Sequence, residues 1–415
     1  MCNLHIEASR ERGSGPVRVL LLCGGRSDEH QVSLESARSV LGALESARSG
    51  PGALASDVAA PGAGPGAGPE AGPGTGRLSI TPLVITREGD AVTSVESREL
   101  LGLAPLPGQG LGSSVAPGLG SSPNSAVSEA STGLAPAALA PSSRLSEAVA
   151  SATAEGAYDV VFPLLHGPYG EDGSVQGLLK VMGLPFVGTD VLGSAIGMDK
   201  LTMKAVFAAA DLPQVRHAAV TRHAYGEDQD GVLADLDRLA LPLFVKPANL
   251  GSSIGITRVD DRRDLPAAID VALGFDRRVI VEEAAVGARE LEVAVLGNDR
   301  PQASPVGEVR YTAGFYDYEA KYSDGHAELI IPADVPATVA EAARALALRA
   351  FAVIDAAGLA RVDMFYLFYF VMFINEINTM PGFTRHSMYP KLWEEAGVPY
   401  PELVTRLVEL ALERR

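Results

Sequence analysis

Glu376 and Asn378 stand two residues apart in the stretch Arg361 to Ser387, RVDMFYLFYFVMFINEINTMPGFTRHS. Residues two apart on a strand share a face, so their oxygens would lie side by side, and Asp363 can join them from a neighbouring strand. Hard oxygen ligands of this kind suit Mg²⁺, which is held by one or two carboxylates plus substrate phosphates. Arg361 lies two residues before Asp363 and shares its face. A cation there can meet charge developing on a transferring phosphoryl group or a tetrahedral intermediate. Pro381-Gly382 then turns the chain, leaving backbone N–H groups and the hydroxyls of Thr384 and Ser387 to hold an anion. The plain alternative is a buried strand pair with an ordinary salt bridge. Arg, Asp, Glu, Asn and a Pro-Gly turn in register favour the metal site.

Other residues could serve a phosphate ligand. Lys246 ends the apolar run LPLFVKP, and Gly251-Ser252-Ser253-Ile254-Gly255 follows it closely. Such a loop lets backbone N–H groups approach phosphate oxygens. It lacks the Gly-Lys-Ser/Thr ending of a P-loop. Glu29 lies in GGRSDEHQVS after the run VRVLLL, and His166 follows YDVVFPLL. Both positions follow strands at turns where α/β proteins place ligand contacts.

The elements that must position these groups read as alternating strands and helices. Val17 to Leu22 is a strand, and Ser33 is a candidate N-cap for the helical pattern after it. Arg77 to Thr86, Tyr158 to Leu165 and Leu184 to Gly188 read as further strands, and a helix begins at Met198-Asp199-Lys200. Val279 to Glu283 and Glu290 to Leu296 are strands flanking the hinge AAVGARE. Val335 to Leu359 is helical, and Leu392 to Leu412 reads as a short amphipathic helix. Ser49 to about Glu155 is mostly rich in Gly, Ala, Pro and Ser and offers little to bury.

A chain of 415 residues exceeds one typical domain. Its formal net charge of −17 argues against a nucleic-acid or anionic-membrane partner. The longest dense apolar run, Met364 to Ile374, is well short of the ~20 residues a membrane helix needs. Two cysteines, Cys2 and Cys23, form no disulfide framework and fit a reducing cytosol. Residues 1–16 contain no signal-peptide core and read as a loose leader, so a cytoplasmic protein is expected.

Asn375 to Ser387, NEINTMPGFTRHS, resembles the signature of D-alanine–D-alanine ligases, members of the ATP-grasp superfamily. GGRSDEHQVS and the HG…GEDG…QG pattern from His166 resemble the same family. The resemblance covers most of the chain outside the leader and the low-complexity insertions. It implies an α/β fold of three domains: a doubly wound N-terminal domain over 17–197, a central one over 198–283, and a C-terminal one over 284–415. ATP would lie between the last two, with two Mg²⁺ or Mn²⁺ ions on Asp363, Glu376 and Asn378.

Residue by residue, the resemblance implies that Lys200, Lys246 and the loop carrying Ser253 cover the nucleotide phosphates. Glu283 would bond the adenine amino group, the backbone at Val286 would read the ring edge, and Glu290 would contact the ribose. Glu29 would meet the ammonium of the first D-alanine, with His166 on the substrate side. Lys321, in the loop FYDYEAKY, would approach the transferred phosphate, and Tyr322 would bond Ser252 and Glu29. Arg361 and the Gly382 N–H would form an oxyanion site, while Ser387 and the Met388 N–H would hold the second substrate's carboxylate.

The implied reaction joins two D-alanines through an acyl phosphate, releasing ADP, and the tyrosine in the loop points to a peptide rather than a depsipeptide product. A homodimer is implied as well. Another ATP-grasp carboxylate–amine ligase, or a non-catalytic nucleotide-binding homologue, are the alternatives. The second gains support from MFYLFYFVMFI between Asp363 and Glu376, which lacks the Gly, Asn, Asp or Pro of a hairpin turn.

Overall fold

The computed structural model describes residues 16–49, 78–92, 94–103, 158–311, 327–367 and 371–414. Nearly all of the leader, most of the low-complexity stretch, Lys321, Tyr322 and residues 368–370 lie outside them.

The N-terminal sheet is parallel, in the order β2-β1-β3, from β1 (Val17–Gly24), β2 (Leu78–Ile85) and β3 (Val160–Leu164). Near-continuous apolar strands are what a sheet covered on both faces requires. Val19, Leu21 and Cys23 face helix α1 (His30–Ser49), whereas Leu20, Leu22 and Val161 pack with Val175 and Leu179 of α3 (Ser174–Val181). The short α2 (Ser94–Leu100) lies against β2. Leu184 to Gly188 contributes only one parallel bridge, Val161 to Phe186, rather than a strand. Its Pro185 has no N–H to extend a ladder.

Helix α1 begins three residues before Ser33, at His30. Ser33 is fully buried and does not cap it; its hydroxyl accepts from Gly24 N and donates to the Leu164 carbonyl, tying β1 to β3. Gly24 has φ +87, and a Cβ there would stand 2.2 Å from the Ile85 carbonyl oxygen. Only glycine allows this close turn.

Two helices lead out of this sheet: α4 (Val191–Met198) and α5 (Lys200–Ala209), whose N-cap Asp199 accepts from Thr202 N. A second, antiparallel sheet follows in the order β4-β7-β5-β6. Its strands are β4 (His217–Thr221), β5 (Leu243–Pro247), β6 (Thr257–Val259) and β7 (Arg278–Glu283). Helices α6 (Arg222–Glu227), α7 (Gln229–Leu236) and α8 (Leu265–Phe275) complete the unit. Leu243, Val245, Val279 and Val281 bury one face against α8, and alternation turns Phe244, Lys246, Ile280 and Glu282 to the other.

The third sheet is antiparallel, ordered β10-β9-β8-β11-β12. Its strands are β8 (Arg289–Gly297), β9 (Gln302–Tyr311), β10 (Ala327–Ile330), β11 (Gly358–Leu367) and β12 (Val371–Asn378). Helix α9 (Ala337–Val353) covers one face with Leu291, Val293, Val362, Ile374 and Ile377. Ile374 and Ile377 are three apart and would point to opposite faces of a regular strand. The β11–β12 register shifts after Asp363, where Asn375 is the extra residue, and this bulge brings both isoleucines inward.

The C-terminal region forms two helices, α10 (Met388–Glu395) and α11 (Tyr400–Glu413), rather than one. Gly397 at φ +83 and Pro399 break them. Both join β1, α1 and β3 in one apolar cluster that includes Phe162, Leu296, Tyr389, Trp393 and Leu407.

Candidate active site

β11 and β12 bring the predicted metal ligands together. Asp363 pairs with Glu376 and Arg361 with Asn378 across the ladder, on the face away from α9. Arg361 grips both oxygens of Asp363, Nε to Oδ1 and a terminal nitrogen to Oδ2, each at 2.7 Å. Asn378 Nδ2 donates to Asp363 Oδ2 at 3.0 Å, which leaves the amide oxygen as the acceptor of that side chain. Burial disfavours the Arg361 charge, but Asp363 and Glu292 outweigh that and hold its pKa well above the ordinary value.

This donor set is all oxygen and fits a hard divalent cation. Among the described residues no group of three or more His, Cys, Asp or Glu side chains could hold a metal ion. A cation here would rest on two carboxylates, one amide oxygen and the ligand's own phosphates.

The central sheet faces this row. Lys246 Nζ lies 2.7 Å from Glu282, whose other oxygen is 2.8 Å from the fully buried Lys204 of α5. Burial lowers the pKa of Lys246, but Glu282 beside it, with Glu376 and Glu290 further off, raises it overall. Those two acids belong to β12 and β8, so the central and C-terminal faces meet at Lys246. Burial pushes Glu282 up, but the two lysines outweigh it and hold the carboxyl far below its usual range.

Glu283 is turned the other way. Its carboxylate accepts from Arg216 at 3.0 Å and from Ala240 N at 2.8 Å, on the α8 side of β7. The acid in the cleft is Glu282, which sequence reading passed over; strand alternation from Lys246 through its β7 partner Ile280 was the available signal. Val286 N–H donates to the Ala284 carbonyl at 2.9 Å, so it does not face outward as a free donor. Glu290 and Glu292 share the cleft face of β8, opposite Phe365 and Asp363. Neither Glu292 nor Lys204 was among the expected site residues.

The glycine loop bridges to the first sheet. Ser252 and Ser253 both adopt left-handed backbone, φ +49 and +59. Such conformations in non-glycine residues cost about 1–3 kcal/mol each and gather at ligand sites. Ser252 Oγ donates to Glu29 Oε1. Lys200 Nζ donates to the Leu250 carbonyl at 2.6 Å, and Asp276 accepts from both nitrogens of Asn249 at 3.0 Å, anchoring the start of the loop.

His166 is buried at the end of β3. Its Nδ1 lies 3.1 Å from the Met380 carbonyl and 3.4 Å from Glu171, and its Nε2 lies 3.3 Å from Ser36 Oγ. It thus ties the first sheet to the end of β12, where the chain bends at Thr379-Met380; the turn expected at Pro381-Gly382 falls instead at Arg385-His386. Beside it, Ser387 Oγ accepts from Thr384 N at 3.1 Å, and a Cβ on Gly382 would come within 3.1 Å of the same oxygen. Ser387 precedes α10, and the Met388 side chain is buried in the shared cluster.

Family models described as the N-terminus and the C-terminus of D-Ala D-Ala ligase match residues 18–189 and 206–409. The D-alanine–D-alanine ligase of Deinococcus radiodurans is 46% identical over 400 residues, covering 96% of this chain and 99% of the relative. That of Geobacillus kaustophilus is 42% identical over 402 residues, covering 96% and 95%. Among solved structures, the VanG D-Ala:D-Ser ligase of Enterococcus faecalis superposes with a TM-score of 0.70 at 26% identity, over 95% of this chain and 99% of that one. The D-alanine–D-alanine ligase of Coxiella burnetii gives 0.67 at 27% identity, over 97% and 95%. This chain belongs to the D-alanine–D-alanine ligase family.

Proposed function

We propose that the protein joins two D-alanines at the expense of ATP, releasing ADP and phosphate, to supply a peptidoglycan precursor. The observation that carries this is the meeting of three sheets on one cleft. Ser252 reaches Glu29 from the central unit, and Lys246 stands in the field of Glu376 and Glu290. Family membership brings ATP and a divalent cation. Two Mg²⁺ or Mn²⁺ ions are our finer reading, with Asp363, Glu376 and Asn378 as their protein ligands. A bound cation would neutralise phosphate charge without a proton transfer.

In this reading the carboxylate of the first D-alanine attacks the γ-phosphate, and the amine of the second displaces phosphate from the resulting acyl phosphate. Lys246, kept charged by Glu282, and the backbone of the glycine loop at Ser253 bind the polyphosphate. Lys200 supports that loop through Leu250. Glu282 takes the adenine-side role expected of Glu283, and Glu290 the ribose. Glu29 and His166 orient the first amino acid. Arg361 and Gly382 N–H face the tetrahedral oxyanion, and Ser387 with Met388 N–H holds the second carboxylate. Lys321 and Tyr322 complete the site from outside the described residues. Replacing Tyr322 by Phe lowers turnover about 10²-fold if its hydroxyl takes part in moving the amine proton.

No helix among the described residues is long and apolar enough to cross a membrane. We place the enzyme in the cytoplasm, as a homodimer, with 17–197, 198–283 and 284–415 as its domains. The deciding experiment measures ADP release with Mg²⁺-ATP and D-alanine, against L-alanine, D-serine and D-lactate, with the product identified by mass. Release that depends on D-alanine and yields its dipeptide supports the reading. Binding of ATP without turnover, or a preferred acceptor other than D-alanine, overturns it.

A further inference from the structure

A third acid stands in the row of metal ligands. The β8–β11 register sets Glu292 opposite Asp363 on one side, just as β12 sets Glu376 opposite it on the other. Three carboxylates thus cross three strands on the cleft face. Glu292 is engaged with Arg361: its Oε2 lies 3.0 Å from Arg361 Nε, and the two side chains are only 12% and 18% exposed.

The arrangement matters because the same oxygens are wanted twice. Both oxygens of Asp363 are held by Arg361, and Oδ2 is also held by Asn378. A cation that takes Asp363 as a ligand must compete with the guanidinium for them. A guanidinium cannot shed its proton, and a buried charge stripped of its partner is costly to keep. Arg361 therefore needs a second counter-ion on a different strand if it is to stay in the cleft.

We infer that Glu292 is a positioning residue for the ligation reaction: it retains Arg361 on the cleft face when Asp363 is given up to a metal ion. The inference rests on the reading of Asp363 as a metal ligand. With Glu292 in place the guanidinium passes from two carboxylates to one without leaving its strand. Without it, the acids left near Arg361 are Asp363 and Glu376, both wanted by the metal, and the guanidinium contests it.

Mn²⁺ binding tests this without any turnover. Mn²⁺ is titrated in the presence of ADP, and free ion is read by electron paramagnetic resonance. Glu292→Gln keeps the shape and removes the charge. Its apparent Mn²⁺ affinity falls roughly tenfold, the scale of one charge-assisted contact. Because removing any negative charge weakens cation binding, the same substitution is repeated in an Arg361→Met background. There the drop shrinks severalfold, since no guanidinium remains to contest Asp363. Glu292→Asp, which keeps the charge, restores part of the affinity. In ligation assays at saturating Mn²⁺, Glu292→Gln lowers kcat with KM for D-alanine unchanged.

Unchanged Mn²⁺ affinity in Glu292→Gln overturns the inference. So does a drop of equal size in both backgrounds, which would mean a bare charge effect. A wild-type protein that binds no Mn²⁺ with ADP overturns the metal reading and this inference together. Wild-type Mn²⁺ binding without dipeptide formation overturns only the assigned reaction, and the affinity comparison still decides the role of Glu292.

Discussion

At the scale of residues, the central-sheet charges make two neighbouring glutamates unequal. Glu282 sits between Lys204 and Lys246, whereas Glu283 meets Arg216 on the opposite face. Glu282→Gln strips a buried carboxylate from two ammonium groups, and losing one partner of a buried ion pair costs about 3–5 kcal/mol. KM for ATP should rise at least about tenfold, as Lys246 loses its orientation. Glu283→Gln should leave KM for ATP within about twofold, because an exposed-side contact contributes little. Steady-state kinetics on the two variants, with denaturant melts alongside, distinguishes the faces.

His166 carries a pH dependence. Burial opposes its charge, but Glu171, Glu29 and the Met380 carbonyl outweigh burial and raise its pKa. A raised folded pKa gives stability that is full below the unfolded value of about 6.5 and is lost as pH rises through the folded one. The Tm gap between wild type and His166→Gln should therefore be widest near pH ~6 and narrow toward pH ~9.

At the scale of elements, the bulge at Asn375 decides which side chains face the cleft. It lets Ile374 and Ile377 share the α9 face while Glu376 and Asn378 keep the other. Ile377→Ala should cost about 2–5 kcal/mol as a buried truncation, with loss of cation binding as β12 loosens. Urea melts read with and without Mn²⁺ would show both effects. Most of the strands, their alternation and the shared face of Arg361, Asp363, Glu376 and Asn378 on β11 and β12 were legible in the residue pattern. The bulge was not, because an extra residue shows only against its partner strand. Ser33 looked like an N-cap because serine favours caps, yet a contact with Leu164, 131 residues away, claims its hydroxyl. The expectation at Glu283 rests on the family resemblance alone; Glu282 beside it is chemically alike, and only the strand's phase separates the two. The break between α10 and α11 was signalled by Gly397 and Pro399 and passed over within an apolar pattern.

At the scale of the whole molecule, the first and third sheets share a core. Val19, Leu21 and Phe162 pack in the same cluster as Ala294, Leu359, Trp393 and Leu403. Phe162 meets Phe383 edge-on at 5.7 Å, and Arg414 donates to the Gly188 carbonyl at 2.6 Å. Residues 17–197 expressed alone should expose that apolar face and fail to give a cooperative melt, whereas the full chain unfolds both regions together. Circular dichroism on the fragment and calorimetry on the full chain would check this.

The central sheet is built differently, since among the described residues its cluster runs from Ala218 to Val281. That contrast sets rules for recombination. A gene crossover between residues 197 and 198 would separate co-adapted halves of one core and give chimeras with mismatched packing. The central sheet and α8, by contrast, can be exchanged between relatives, provided Lys246 and Glu282 still meet Lys204, whose helix stays with the third sheet through Met203 and Phe207. On the proposed roles, the phosphate contacts at Lys246 and the glycine loop drift by module exchange, while Glu290 and the row on β11 and β12 stay bound to a lineage.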